Sequence, residues 1–195
     1  MKKFRSFSTS GIGSKALVAL CLLLATMTGC SASQEALRAT DEKIDLEAFM
    51  GDWYVIGSIP IDFFFVSEAG AHNAVETYTL NDDGSIDTRY RFRKDSFDGE
   101  LKRFNPTGFI FNTETNAEWR MQFLWPFKSA YLIVYVAEDY SQTIIGVPDR
   151  KYIWIMTRSP EVSDSEYARL VERAADAGYQ TESIVRIPHR WPEPD

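Results

Sequence analysis

The chain has 195 residues, 28 of them acidic and 21 basic, for a formal net charge of −7 at pH 7. Four of the basic residues, Lys2, Lys3, Arg5 and Lys15, precede position 30, so 17 basic residues face 28 acidic ones beyond it; this argues against nucleic acid, which requires a basic face, and disfavours broad electrostatic docking on anionic lipid. The two cysteines are Cys21 and Cys30, and a cut before Cys30 leaves no internal thiol, which rules out a disulfide, a thiolate nucleophile and a cysteine metal site.

The first element is a leader. Its basic residues are followed by an apolar run, Ala16 to Met27, broken only by Cys21 and Thr26. The run is too short for a helix spanning a bilayer, which needs about 20 residues, and reads as an export signal. Met27-Thr28-Gly29-Cys30 resembles the lipobox of bacterial lipoproteins, with Met27 where Leu is usual. The resemblance implies a signal peptide over 1–29, a diacylglycerol on the Cys30 sulfur and an acyl chain such as palmitate on its new amino group. Two or more acyl chains, at about 0.8 kcal/mol per buried methylene, give stable attachment. Ser31, where sorting to the inner membrane uses Asp, implies the outer membrane. Residues 30–44 read as the acylated N-terminus and a polar tether.

A domain over 45–188 follows. Asp45 is placed to cap one short helical turn, Leu46 to Met50, and Gly51 ends it. Strands are expected over Asp52–Ile59 and Asn73–Leu80, then a tight turn at Asn81-Asp82-Asp83-Gly84. Ser85–Arg93 alternates, with Ile86, Thr88, Tyr90 and Phe92 on one face and Asp87, Arg89, Arg91 and Arg93 on the other. Glu100–Asn112 is a strand interrupted by Pro106. Ala117–Leu124 alternates again, Trp119, Met121 and Phe123 opposing Glu118, Arg120 and Gln122. Tyr131–Ala137, Thr143–Val147 and Lys151–Thr157 complete eight strands. The last three are apolar on both faces and need an outer cover. The cover is a helix opened by Ser163 and Glu166 as a capping box, carrying Tyr167, Leu170, Val171 and Ala174 at helical spacing and stopped by Gly178. Ile184–Ile187 adds a short strand, and 189–195 is a flexible tail. Consecutive antiparallel strands with short turns predict an all-β, eight-stranded antiparallel up-and-down barrel with one C-terminal α-helix packed outside.

Gly51-Asp52-Trp53 after the helical turn, Glu138-Asp139-Tyr140 after the sixth strand and Arg158 at the end of the last resemble the three motifs of the lipocalin family. A further run, from Pro126-Phe127 through Gly146-Val147-Pro148-Asp149-Arg150 to Tyr152-Ile153-Trp154-Ile155 and Arg158-Ser159-Pro160, is similar to the family's bacterial outer-membrane lipoprotein branch. The resemblance spans about Asp45 to Pro188. It implies a structural set, Gly51, Trp53, Asp139, Tyr140 and Arg158, in which the Arg lies over the Trp ring at the closed end of the barrel, worth about 0.5 to 2 kcal/mol.

Eight strands leave room for one small ligand. Tyr90, Phe92, Trp119, Met121 and Phe123 are inward by alternation and, with Tyr135, are the candidate ligand-binding residues. Phe63, Phe64 and Phe65 lie in the first loop near the mouth, as a lid, a membrane contact, the seam of a homodimer or plain packing. Arg89, Arg91 and Arg93 read as a solvated face, or as a head-group contact at the rim. His72 and His189 have no ligand spacing, and no cofactor or metal is expected. The implied function is carriage of a fatty acid, a lysophospholipid or a similar apolar molecule at the outer membrane, with no enzymatic activity. An enzyme acting on bound lipid and a structural lipoprotein with a filled barrel are the alternatives.

Overall fold

The computed structural model describes residues 35–63 and 66–193. The described residues from Ala36 onward pack together as one unit. The leader, Cys30, Phe64 and Phe65 lie outside the described residues.

Asp45 caps the first helical turn as its position predicts. Its side chain accepts from the backbone N–H of Glu47 and Ala48 above helix α1, Leu46–Phe49. Gly51 then turns the chain at φ +90°, a conformation side chains rarely adopt, and strand β1 runs over Gly51–Ile59. Two short strands that pair antiparallel follow, β2 (Asp62–Phe63) and β3 (Val66–Ser67). The remaining strands are β4 (Ala71–Leu80), β5 (Ser85–Lys94), β6 (Leu101–Phe104), β7 (Thr107–Ile110), β8 (Glu118–Leu124), β9 (Phe127–Val136), β10 (Gln142–Gly146) and β11 (Ile153–Thr157).

All pairings are antiparallel between neighbours, and β11 pairs back onto β1 from Tyr54↔Thr157 to Ile59↔Ile153. That pairing closes the sheet. Strands β6 and β7 are two halves of one barrel strand, both paired to β5 and interrupted at Asn105-Pro106. Proline has no N–H for the ladder, and its carbonyl instead accepts from Thr88 N at 3.1 Å. Counted this way the barrel has eight strands.

Two apolar clusters flank the barrel wall. Inside, Trp53, Tyr78, Ile86, Phe92, Trp119, Ile133, Ile145 and Met156 form the core. Outside, Ile56, Leu132, Ile144, Ile153 and Ile155 meet Leu170, Ala174 and Tyr179 of the C-terminal helical segment. Strands β9 to β11 are therefore buried on both faces, which explains their unbroken apolar runs. Helix α2 spans Asp164–Asp176; the Ser163 side chain accepts from Glu166 N at 3.2 Å. The reciprocal limb of the box is absent, because Glu166 Oε1 accepts from Gln142 Nε2 on β10. Strand β12, Val185–Arg186, pairs with β1.

Described residues from both the expected tether and the expected tail pack on the barrel; residues 31–34, 194 and 195 lie outside the described residues. Leu37 N donates to Pro148 O at 2.9 Å and Thr40 N to Ile133 O at 2.8 Å, and Leu37 is buried in the outer cluster. Leu37 fits because Gly146 leaves room: a Cβ there would lie 2.6 Å from Leu37 Cδ2. At the other end His189–Glu193 is docked rather than free. Asn73 Nδ2 donates to Arg190 O at 3.0 Å and Arg190 N to Asn73 Oδ1 at 2.7 Å. His189 Nε2 donates to Val55 O at 2.9 Å, and Trp191 Nε1 donates to His189 Nδ1 at 3.1 Å. Arg91, from the basic stripe, sits over the Trp191 ring and pairs with Glu193 at 2.9 Å.

Candidate ligand cavity

The end of the barrel next to α1 is plugged. Phe49 meets Trp53, Tyr78 and Trp119 at ring-centroid distances of 5.1, 5.6 and 5.5 Å. The Arg158 guanidinium lies 3.8 Å from the Trp53 ring centroid. It also donates to five main-chain carbonyls, those of Ala48, Phe49, Met50, Asp52 and Tyr140, at 2.7 to 3.3 Å. Tyr140 joins this end: its hydroxyl accepts from Asp45 N at 2.8 Å. Asp139 sets the turn before it by accepting from Ser141 N and Oγ.

Above the plug is a cavity of about 590 Å³. Most of its wall is apolar: Ile61, Pro106, Met121, Ala130, Val147 and Trp154. Phe63 and Phe123 line it at the mouth, where both are exposed to solvent.

The residues singled out from the sequence divide into three groups. Tyr90, Met121, Phe123 and Phe63 line the cavity. Phe92 and Trp119 face inward as alternation requires but do not line it; Phe92 packs between Tyr90 and Phe104, and Trp119 belongs to the plug. Tyr135, expected at the ligand, faces the outside of the barrel. Strand β9 carries a bulge, Ile144 pairing with Tyr135 and Ile145 with Ile133. The extra residue breaks the period of two, so Val134 and Tyr135 both pack in the outer cluster. Arg173 of α2 covers the Tyr135 ring at 4.2 Å. The two histidines have separate partners: His72 Nδ1 lies 2.9 Å from Gly70 O, whereas His189 bonds Val55.

The polar part of the cavity was not anticipated. Glu68 and Glu76 both line it and are only 4% and 6% exposed. Glu68 Oε2 accepts from Trp154 Nε1 at 3.1 Å and from Ile61 N at 3.2 Å. Glu76 Oε2 accepts from the Tyr131 hydroxyl at 3.2 Å, which in turn bonds the Tyr78 hydroxyl. Loss of hydration is the main cause that pushes Glu68 up to about 8 and Glu76 up to about 7. The Tyr90 hydroxyl is buried in the same cavity and has no hydrogen-bond partner among the described residues. One signal for Glu76 existed: Ala74, Glu76 and Tyr78 share a face of β4. Glu68 lies in a connection with no periodicity to expose it.

A closed eight-stranded barrel, sealed at one end by an arginine-bolted tryptophan and hollow at the other, defines a protein of the lipocalin class. The lipocalin-like domain family matches residues 44–189, and the chain belongs to it. It is 28% identical to temperature-induced lipocalin-1 of Arabidopsis thaliana over 163 residues, 78% of this chain and 83% of that protein. It is 23% identical to the outer membrane lipoprotein Blc of Vibrio cholerae over 169 residues, 86% of this chain and 94% of that one. The Blc of Escherichia coli K12 is 24% identical over 144 residues, 73% and 78% of the two chains. Insecticyanin of the tobacco hornworm shares the fold with a TM-score of 0.60 at 15% identity, covering 82% of this chain and 87% of its own.

Proposed function

We propose that this protein is a lipid-anchored carrier that holds a fatty acid, a lysophospholipid or a similar amphiphile in its barrel and exchanges it with the outer membrane. One observation carries the reading: the barrel is hollow. A cavity of about 590 Å³ lies in the usual range for small-molecule sites, about 300 to 1,000 Å³, which argues against a filled, purely structural barrel. Burying an acyl chain there contributes about 25 cal/mol per Å² of apolar surface.

The rim supports exchange with a bilayer. Phe63 is 69% exposed and Trp125, at the turn between β8 and β9, is 80% exposed, with Leu124 and Phe127 exposed beside it. Apolar side chains grouped at a surface mark a contact site, and Trp is enriched where membranes meet water. Residues 1–30, with the lipobox at Cys30, support the anchor, and relatives named outer membrane lipoproteins support the compartment.

Titration of the purified protein with cis-parinaric acid, a fluorescent polyene fatty acid, tests the reading. Saturable binding that unlabelled fatty acid or lysophospholipid displaces is expected. Fluorescence no different from that with a barrel-free control protein contradicts it.

A further inference from the structure

The cavity wall holds a feature that an apolar carrier does not need. Two carboxyl side chains are buried in it, and among the described residues lining it there is no Lys, Arg or His. A buried carboxylate without a counter-charge is costly; Trp154, Ile61 and Tyr131 donate hydrogen bonds to the pair, but no cation lining the cavity balances its charge. The Tyr90 hydroxyl, 5% exposed and unpartnered, is close enough to both that each charge disfavours its ionisation. Tyr131 and Trp154 present rings to the same space, 5.8 Å apart between centroids, with Tyr152 next to Trp154 at 6.5 Å.

Acceptor oxygens, ring faces and a missing positive charge have one complement. We infer that the barrel recognises an amphiphile with a positively charged ammonium end group, held inside against Glu68, Glu76 and the surrounding aromatic rings. An ammonium gains from both features at once: ion pairing with the carboxylates and attraction to the ring faces. An anionic end group at the same place meets like charge, unless it shares a proton with one of the glutamic acids. This rests on the reading of the barrel as an amphiphile carrier and specifies which end group that carrier selects.

Binding of a cation is coupled to proton release. Without ligand the two groups hold protons near neutrality, Glu68 up to about 8 and Glu76 up to about 7. A fixed cation favours the ionised forms, so its affinity rises with pH across that window. Other ionisable groups facing the cavity do not mimic this. Tyr78 on β4, Tyr90 on β5 and Tyr131 on β9 are all pushed further above the ordinary tyrosine range by burial. Asp149 at the mouth is held below the ordinary carboxylate range by Lys151, 2.9 Å away. Tyr152 lines the wall beside them.

The test uses three probes of one chain length: dodecyltrimethylammonium, whose charge does not titrate, dodecanol and dodecanoate. Calorimetric titration of the purified protein at about pH 8.5 is expected to give the cation about tenfold tighter binding than the alcohol. The preference shrinks toward pH 5.5, dodecanoate is the weakest at pH 8.5, and titrations near pH 7 in two buffers of different ionisation enthalpy report protons released with the cation. Alcohol binding without a preference for the cation, or tightest binding of dodecanoate at pH 8.5, overturns the inference and leaves the carrier reading standing. If none of the three binds, both fall. In Glu76→Gln and Glu68→Gln the cation-to-alcohol affinity ratio should drop by about tenfold, and an unchanged ratio in both variants also overturns it. The wild-type pH series decides the matter should either variant fail to fold.

Discussion

Arg158 and Trp53 are 105 positions apart, and the guanidinium of one lies 3.8 Å from the ring centroid of the other. The contact joins the end of the last barrel strand to the start of the first, beside the seam where β11 meets β1. The same guanidinium also satisfies carbonyls left open where α1 ends. Arg158→Ala removes the ring contact and several charge-assisted hydrogen bonds together. A loss of about 2 to 4 kcal/mol in unfolding free energy is expected by urea denaturation. Ligand affinity should hold, because neither residue lines the cavity. A variant as stable as the parent would show that the bolt is ornamental.

The buried glutamic acids make stability fall with rising pH. Their folded-state values, about 8 for Glu68 and about 7 for Glu76, lie above the ordinary value of about 4.3 that holds in the unfolded chain. The folded protein therefore binds more protons through that window. The stability this confers is fully present below about pH 4.3 and is lost as pH rises to about 8, with a slope of at most about 1.4 kcal/mol per pH unit for each group. Denaturation midpoints of the ligand-free protein at successive pH values measure it. Glu76→Gln should flatten the curve up to about pH 7 by its share.

His189 works in the opposite direction. Burial holds its pKa below the ordinary histidine range, and its bonds assign one neutral tautomer, Nε2 donating to Val55 and Nδ1 accepting from Trp191. The stability this contributes is present above about pH 6.5, the unfolded value, and is lost as pH falls through the depressed folded value. Acidification should release the segment after Pro188 before the barrel unfolds. Faster cleavage there by a protease active in acid, measured against cleavage at neutral pH, would show it; equal rates would not fit.

The apolar rim concerns rate rather than affinity. Trp125→Ser with Phe127→Ser removes two exposed rings that do not line the cavity. Transfer of cis-parinaric acid from vesicles should slow several-fold while its affinity in solution stays the same. Unchanged transfer would assign these residues to some other contact.

Much of this was legible along the chain, for reasons that differ by element. Strand β5 has one wet face, so alternation alone put Ile86, Tyr90 and Phe92 inside, where all three are buried. Helix α2 was readable from Ser163 and its apolar stripe. Gly51, Trp53 and Arg158 stood at element boundaries that their contacts then explain. What escaped depended on geometry with no local signature. A bulge turned Tyr135 outward, and docking of Leu37 depends on the space left by Gly146. The C-terminal segment looked free because its anchors, Val55, Asn73 and Arg91, are distant in sequence. Glu76 was visible only as a charged residue in line with Ala74 and Tyr78. Glu68 became part of the cavity through Trp154, 86 positions later.

The central claim is that the hollow barrel takes one amphiphile. Native mass spectrometry of the purified protein with micromolar lysophospholipid tests it most directly, alongside Ala130→Trp, which fills the cavity wall with an indole. The account predicts one adduct per chain for the parent and loss of that adduct in the variant. Absence of an adduct on the parent, or an adduct that persists when the cavity is filled, would contradict it.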